Sequence, residues 1–177
     1  QIIKLLRRLS VAQAQFEVLK ASTSKLIAND ALDLSIFIMD NLGLDSTATA
    51  LEKYAQADLL VFQNRFDDAF KQLDSLLIAF PEHALEDDVL YLKSKIYVKR
   101  RDFQQAAVML QRIIDNYPTD IRADNAVFEL AELNERQLGD IEKAKSMYEK
   151  LFIEYSGSTF AVEARKRYRA LRGDNIQ

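Results

Sequence analysis

The sequence predicts an all-α chain of stacked helix pairs, and three observations predict it. Glycine and proline are scarce, 4 and 2 in 177 residues, so breakers are few and the elements run long. Apolar residues recur at helical spacing: Ala69, Leu73, Leu76, Leu77 and Phe80 stand at i, i+4, i+7, i+8 and i+11, one helix face. The chain also aligns with itself when shifted by 37 residues, the mark of a repeat array.

The aligned columns are specific. Ala57 falls on Ser94 and Ala131; Tyr54 on Tyr91 and Phe128; Leu59 on Ile96 and Leu133. In the second half of each unit Ala69, Ala106 and Ala144 align, as do Leu73, Leu110 and Tyr148, then Leu76, Ile113 and Leu151. There the second shift is 38, so one extra residue is expected near Leu138-Gly139. The small residues sit 12 or 13 apart within a unit. Small side chains at two such points let antiparallel helices approach closely.

Turns punctuate the pairs. Asn64-Arg65, Arg100-Arg101-Asp102 and Gly139-Asp140 separate the two helices of each unit. Asp102 with Gln105 makes a capping-box pattern, and Asp140 is placed to cap the helix after Gly139. Each unit closes on an aromatic, Phe80, Tyr117 or Tyr155, followed by Pro81, Pro118 or Ser156. A proline there stops one helix running into the next. Helices are predicted over 2–20, 28–42, 46–63, 66–79, 84–99, 103–116, 120–137, 141–154 and 159–171. Asp45 with Ser46-Thr47 is a candidate N-cap after Gly43. Three domains of organisation follow: helices over 1–45 that fit the columns poorly and read as a truncated or degenerate repeat, three repeats with a capping helix over 46–172, and a flexible tail over 173–177. The ninth helix, with Arg165, Lys166, Arg167, Arg169 and Arg172, reads as a solvating end cap, the alternative being a patch for an acidic partner or phosphate.

The Ala57/Ala69/Pro81 spacing resembles the tetratricopeptide repeat family, and Ser94/Ala106/Pro118 and Ala131/Ala144/Ser156 follow it with single departures. The family's typical Trp is absent, and the units run 37 to 38 residues rather than 34. The longer form resembles bacterial cell-envelope proteins of this family, such as outer-membrane assembly lipoproteins and Tol-Pal accessory coordinators. The resemblance covers about residues 50–172. It implies a right-handed α-solenoid and a periplasmic or envelope location. Lack of cysteine suits cytosol and periplasm equally.

Composition excludes most chemistry. With no cysteine and a single histidine, thiol nucleophiles, disulfides, zinc fingers and His-cluster metal sites are ruled out within this chain. Four scattered glycines make no phosphate loop. A net charge of −3 gives no basic field for nucleic acid. No window is apolar for ~18 residues, so no membrane span is expected. His83, after Pro81-Glu82, reads as a turn residue, and Glu86-Asp87-Asp88 as a solvated first-turn cluster favoured by the helix dipole. Arg172-Gly173-Asp174 matches an adhesion tripeptide but reads as a helix end with Gly173 as left-handed cap. Because residue 1 is Gln and a helical pattern is already under way at Ile2 and Ile3, the chain is expected to be a fragment of a longer protein.

The candidate site is the aromatic column and its neighbours. In the family's register Tyr54, Tyr91 and Phe128 lie near the concave surface, with Asp58, Lys95 and Glu132 and then Phe62, Lys99 and Arg136 beside them. Aromatics mixed with charge suit a peptide groove, whereas rings packed between repeats are the alternative. The basic clamp of chaperone-tail-binding relatives is not matched, since Asp58 and Glu132 stand where it needs cations. The expectation is a non-catalytic scaffold, without cofactor, that holds a partner protein or peptide. The rivals are an accessory domain of a larger enzyme and an oligomerisation module.

Overall fold

A computed structural model describes residues 47–174. The described residues are helical throughout, with no strand among them: α1 (Thr47–Phe62), α2 (Phe66–Ala79), α3 (Glu86–Lys99), α4 (Phe103–Asn116), α5 (Ala123–Leu133), a π-helical turn (Asn134–Leu138), α6 (Ile141–Glu154) and α7 (Ala161–Arg172). The predicted helices over 2–20 and 28–42, and the Asp45 cap, lie outside the described residues. The chain divides into two compact units at Leu85/Glu86.

The first unit contains the pair α1–α2. Ala57 and Ala69 are fully buried, so the small-residue column marks the close approach of the two helices. Leu73 and Leu76 fill the space beside them. Leu59 departs from its column. It is 55% exposed, whereas Ile96 is 0% and Leu133 7% exposed. His83 is half-buried in the turn after α2, where its Nδ1 accepts the Leu85 N–H at 3.1 Å and its ring meets Phe80 edge-on.

The second unit stacks α3 to α7, each helix packing chiefly on its neighbours in the chain. One core runs through it, including Ala106, Leu110, Ile113, Leu130, Ala131, Ala144, Tyr148 and Leu151. Burying each leucine or isoleucine of this core contributes ~1.5–3 kcal/mol. Packing of this kind is additive from neighbour to neighbour.

The caps explain the boundaries. Asp102 accepts the Gln105 N–H at 3.2 Å and Asp140 the Lys143 N–H at 3.0 Å, starting α4 and α6. Phe80, Tyr117 and Tyr155 are the C-cap residues of α2, α4 and α6. The loops that follow fold into tight turns. Asp120 and Ala123 donate to Tyr117 O and Asp120 O, and 38 residues later Ser158 and Ala161 donate to Tyr155 O and Ser158 O. Those turns move the starts of α5 and α7 two or three residues later than the sequence pattern predicts.

Between the helices of each repeat one residue adopts the left-handed region: Asn64 (φ 59°), Arg101 (φ 59°) and Gly139 (φ 72°). The first two close Schellman-type ends, Arg65 donating to Leu60 O and Asp102 to Tyr97 O. The extra residue of the third unit is absorbed just before Gly139. A π-helical turn takes one more residue than an α-turn, so the surplus is housed at Asn134–Leu138 without displacing Ala144 from its buried column position. Gly173 (φ 89°) ends α7 as expected, and Asp174 N–H donates to Arg169 O at 3.0 Å.

Candidate protein-interaction surface

The polar residues of α3, α5 and α7 reach across to one another. Lys95 and Tyr91 stand one turn apart on α3, and both donate to Glu129 Oε1 of α5 at 2.5 Å. Lys95 Nζ and the Arg122 guanidinium each lie 4.9 Å from the Tyr91 ring centroid, within cation–π range. Arg122 Nε in turn donates to Asp88 Oδ1 at 2.6 Å. Burial first, then the Glu129 carboxylate, pushes the Tyr91 phenol well above its ordinary range. It is therefore a neutral donor at any physiological pH.

A second network joins α5, α6 and α7. Arg167 bridges Glu163 (2.8 Å), Glu135 (3.3 Å) and Glu132 (3.6 Å). Glu132 also takes Arg136 at 3.0 Å, and the Tyr148 hydroxyl donates to Glu135 at 2.6 Å. The Arg167 hydrogen bond holds the Glu163 carboxyl below the usual carboxylate range. Two of the cross-helix pairs, Lys95–Glu129 and Asp88–Arg122, are separated by 34 residues, one repeat less about one turn. The result is a ladder of ion pairs along the first helices of successive repeats.

The predicted residues divide accordingly. Tyr91 and Lys95 are brought together. Glu132 and Arg136 pair with each other. Lys99 is exposed at the end of α3. Phe128 is taken up in packing: it stacks on Phe160 at 4.7 Å and meets Tyr148 edge-on at 5.9 Å. In the first unit Tyr54 is half-buried, and Asp58 and Phe62 are exposed. Glu129, Arg122 and Glu135 were not singled out from sequence, and Arg167 was read only as part of the basic run of the last helix. Opposite charges one repeat less a turn apart are the signal that would have found them.

Glu86-Asp87-Asp88 is not the solvated cluster expected. Asp87 and Asp88 are buried and Glu86 is half-buried. Glu86 accepts the Tyr117 hydroxyl, and Asp88 holds Arg122. Asp87 is 1% exposed, and neither carboxylate oxygen has a hydrogen-bond partner. Burial, then the neighbouring Asp88 charge, pushes its carboxyl up to about 7. Among the described residues no group of three or more His, Cys, Asp or Glu side chains is arranged to hold a metal ion. No described helix is long and apolar enough to cross a membrane.

Helix pairs with buried small-residue columns, aromatic C-caps and cross-repeat polar ladders define a helical-repeat protein of tetratricopeptide type. The chain matches the YfiO family, described as outer membrane lipoprotein, over residues 45–174, and it belongs to that family. No curated protein matches it.

Proposed function

We propose that this chain is a non-catalytic scaffold of the bacterial envelope that holds a segment of a partner protein along α3 and α5. The observation that carries the reading is the Tyr91–Lys95–Glu129 cluster with its neighbours. Its side chains are ordered before any ligand arrives, so little rotamer entropy is left to lose on binding. Lys99 is exposed at the end of α3, and Arg136, paired with Glu132, is exposed beyond α5; both supply charge for selecting a partner. Membership of an outer membrane lipoprotein family supports the envelope location.

Reversing charge at the two exposed positions tests this. Lys99→Glu combined with Arg136→Glu leaves the core untouched. It should lower recovery of the partner by tagged protein in the native host by about tenfold, with a stability loss no larger than the ~1 kcal/mol of the exposed Arg136–Glu132 pair. Equal recovery with equal stability contradicts the reading.

A further inference from the structure

We propose that the outward face of α7 is a second docking surface, which takes an acidic helix of a partner protein. Register leads to it. The tight turns before α5 and α7 repeat at a shift of 38, so Arg165, Arg169 and Arg172 occupy the places of Val127, Ala131 and Asn134. Val127 and Ala131 of α5 and Asn134 of the π-helical turn are buried, and Val127 and Ala131 share one core with Ala144, Tyr148 and Leu151 of α6. The same places on α3 are Leu90, Ser94 and Tyr97, beside α4. On α3 and α5, then, this face receives a helix. On α7 no described helix covers it, and it carries three arginines at i, i+4 and i+7.

The arginines are poised for carboxylates. The Arg165 guanidinium lies 5.4 Å from the Phe152 ring centroid and that of Arg172 lies 5.5 Å from Tyr168. Placement over a ring restrains the planar group and turns its N–H edge toward a carboxylate, as Arg172 already shows with Asp174. One carboxylate already binds there. Asp174 accepts from Arg172 at 2.8 and 2.5 Å and from Arg169 at 3.3 Å. Arg169 and Arg172 remain 49% and 56% exposed, and Arg165 is exposed. A helix with glutamates at matching spacing would meet Arg165 directly and compete with Asp174 for the other two. This surface is separate from the Tyr91 cluster and does not depend on it.

The test uses the 177-residue chain and two labelled synthetic helical peptides. One has glutamates at i, i+4 and i+7 beside a leucine stripe; the other has glutamines in their place. Anisotropy titration should give binding of the glutamate peptide at least about tenfold tighter than the glutamine peptide. Arg165→Glu with Arg169→Glu should remove that preference without lowering the melting temperature. Asp174→Asn, which releases two guanidiniums, should strengthen binding several-fold. Equal affinity for both peptides, or no response to the charge reversal, overturns the proposal. So does arginine-dependent capture of phosphatidylglycerol vesicles with no peptide binding, which would make the face a membrane contact. An arginine-dependent dimer in light scattering would assign the face to a second copy and overturn it equally.

Discussion

Lys95 and Glu129 lie 34 residues apart in the chain, and the lysine Nζ is 2.5 Å from the glutamate Oε1. The contact joins the first helices of successive repeats, and the Tyr91 hydroxyl shares the same oxygen. Lys95 is partly exposed, so the ion pair itself is worth ~1 kcal/mol or less. Its consequence is geometric: α3 is tied to α5 at one point on the proposed binding surface.

The neighbouring pair is energetically heavier. Asp88 is buried and Arg122 mostly so. Arg122→Met removes the guanidinium from a carboxylate that stays buried, and should cost ~3–5 kcal/mol. Lys95→Met should cost ~1 kcal/mol or less. Urea denaturation of both variants checks the ratio; equal losses would mean that Asp88 is satisfied without Arg122.

Asp87 predicts a pH dependence of definite sign. Its carboxyl is raised from 3.8 to about 7 in the folded chain, so between those values the folded state holds a proton that the unfolded state has released. Asp87's contribution to stability is fully present below about pH 4, falls by up to ~1.4 kcal/mol per pH unit as pH rises, and is lost above about pH 7. Asp87→Asn should flatten that slope and raise stability at pH 8. Parallel wild-type and variant curves from denaturation at pH 5, 6, 7 and 8 would show that Asp87 does not carry the effect.

Arg101 holds φ at 59° where its counterpart in the next repeat is Gly139. A left-handed conformation costs a side-chain-bearing residue ~1–2 kcal/mol, partly offset by glycine's greater loss of freedom on folding. Arg101→Gly should raise stability by ~0.5–1 kcal/mol, and Arg101→Val should lower it. Calorimetric melting points ordered Gly, Arg, Val are expected; a glycine variant that melts below wild type contradicts the strain.

The small-residue column gives the largest expected loss. Ala106 is fully buried between α3 and α4, so Ala106→Trp should destabilise by ~1–3 kcal/mol or more. Glu52→Ala, on an exposed position of α1, should change stability by at most ~0.5 kcal/mol. Equal melting temperatures would misplace the helix interface.

Much of this architecture was legible in the sequence because it is local and periodic. Ala57, Ala69, Ala106 and Ala144 mark helix contacts by spacing alone, Asp102 and Asp140 announce their caps, and the one-residue change of register marks the π-helical turn. Other features depend on neighbours distant in sequence. Asp87 and Asp88 follow Glu86 in what looks like a hydrophilic first turn, and nothing in that turn reveals that the fold buries them. Phe128 aligns with Tyr91 yet lacks the hydroxyl that binds Glu129, and its ring turns to Phe160 and Tyr148 instead. Leu59 shares a column with two buried residues and is itself exposed. The arginines of α7 read as a solvated cap until the helix-receiving positions of α3 and α5 show which face they occupy.

The scaffold reading is tested most directly by photo-cross-linking in the native host. A photoreactive amino acid is placed at Lys99, at Arg136 and, as a control, at Asp115, which is exposed on α4. The account predicts that Lys99 and Arg136 yield the same discrete cross-linked envelope protein, lost when Tyr91→Ala is added, and that Asp115 yields none. Cross-links from Asp115 alone, or identical products from all three sites, would contradict a binding surface on the first helices.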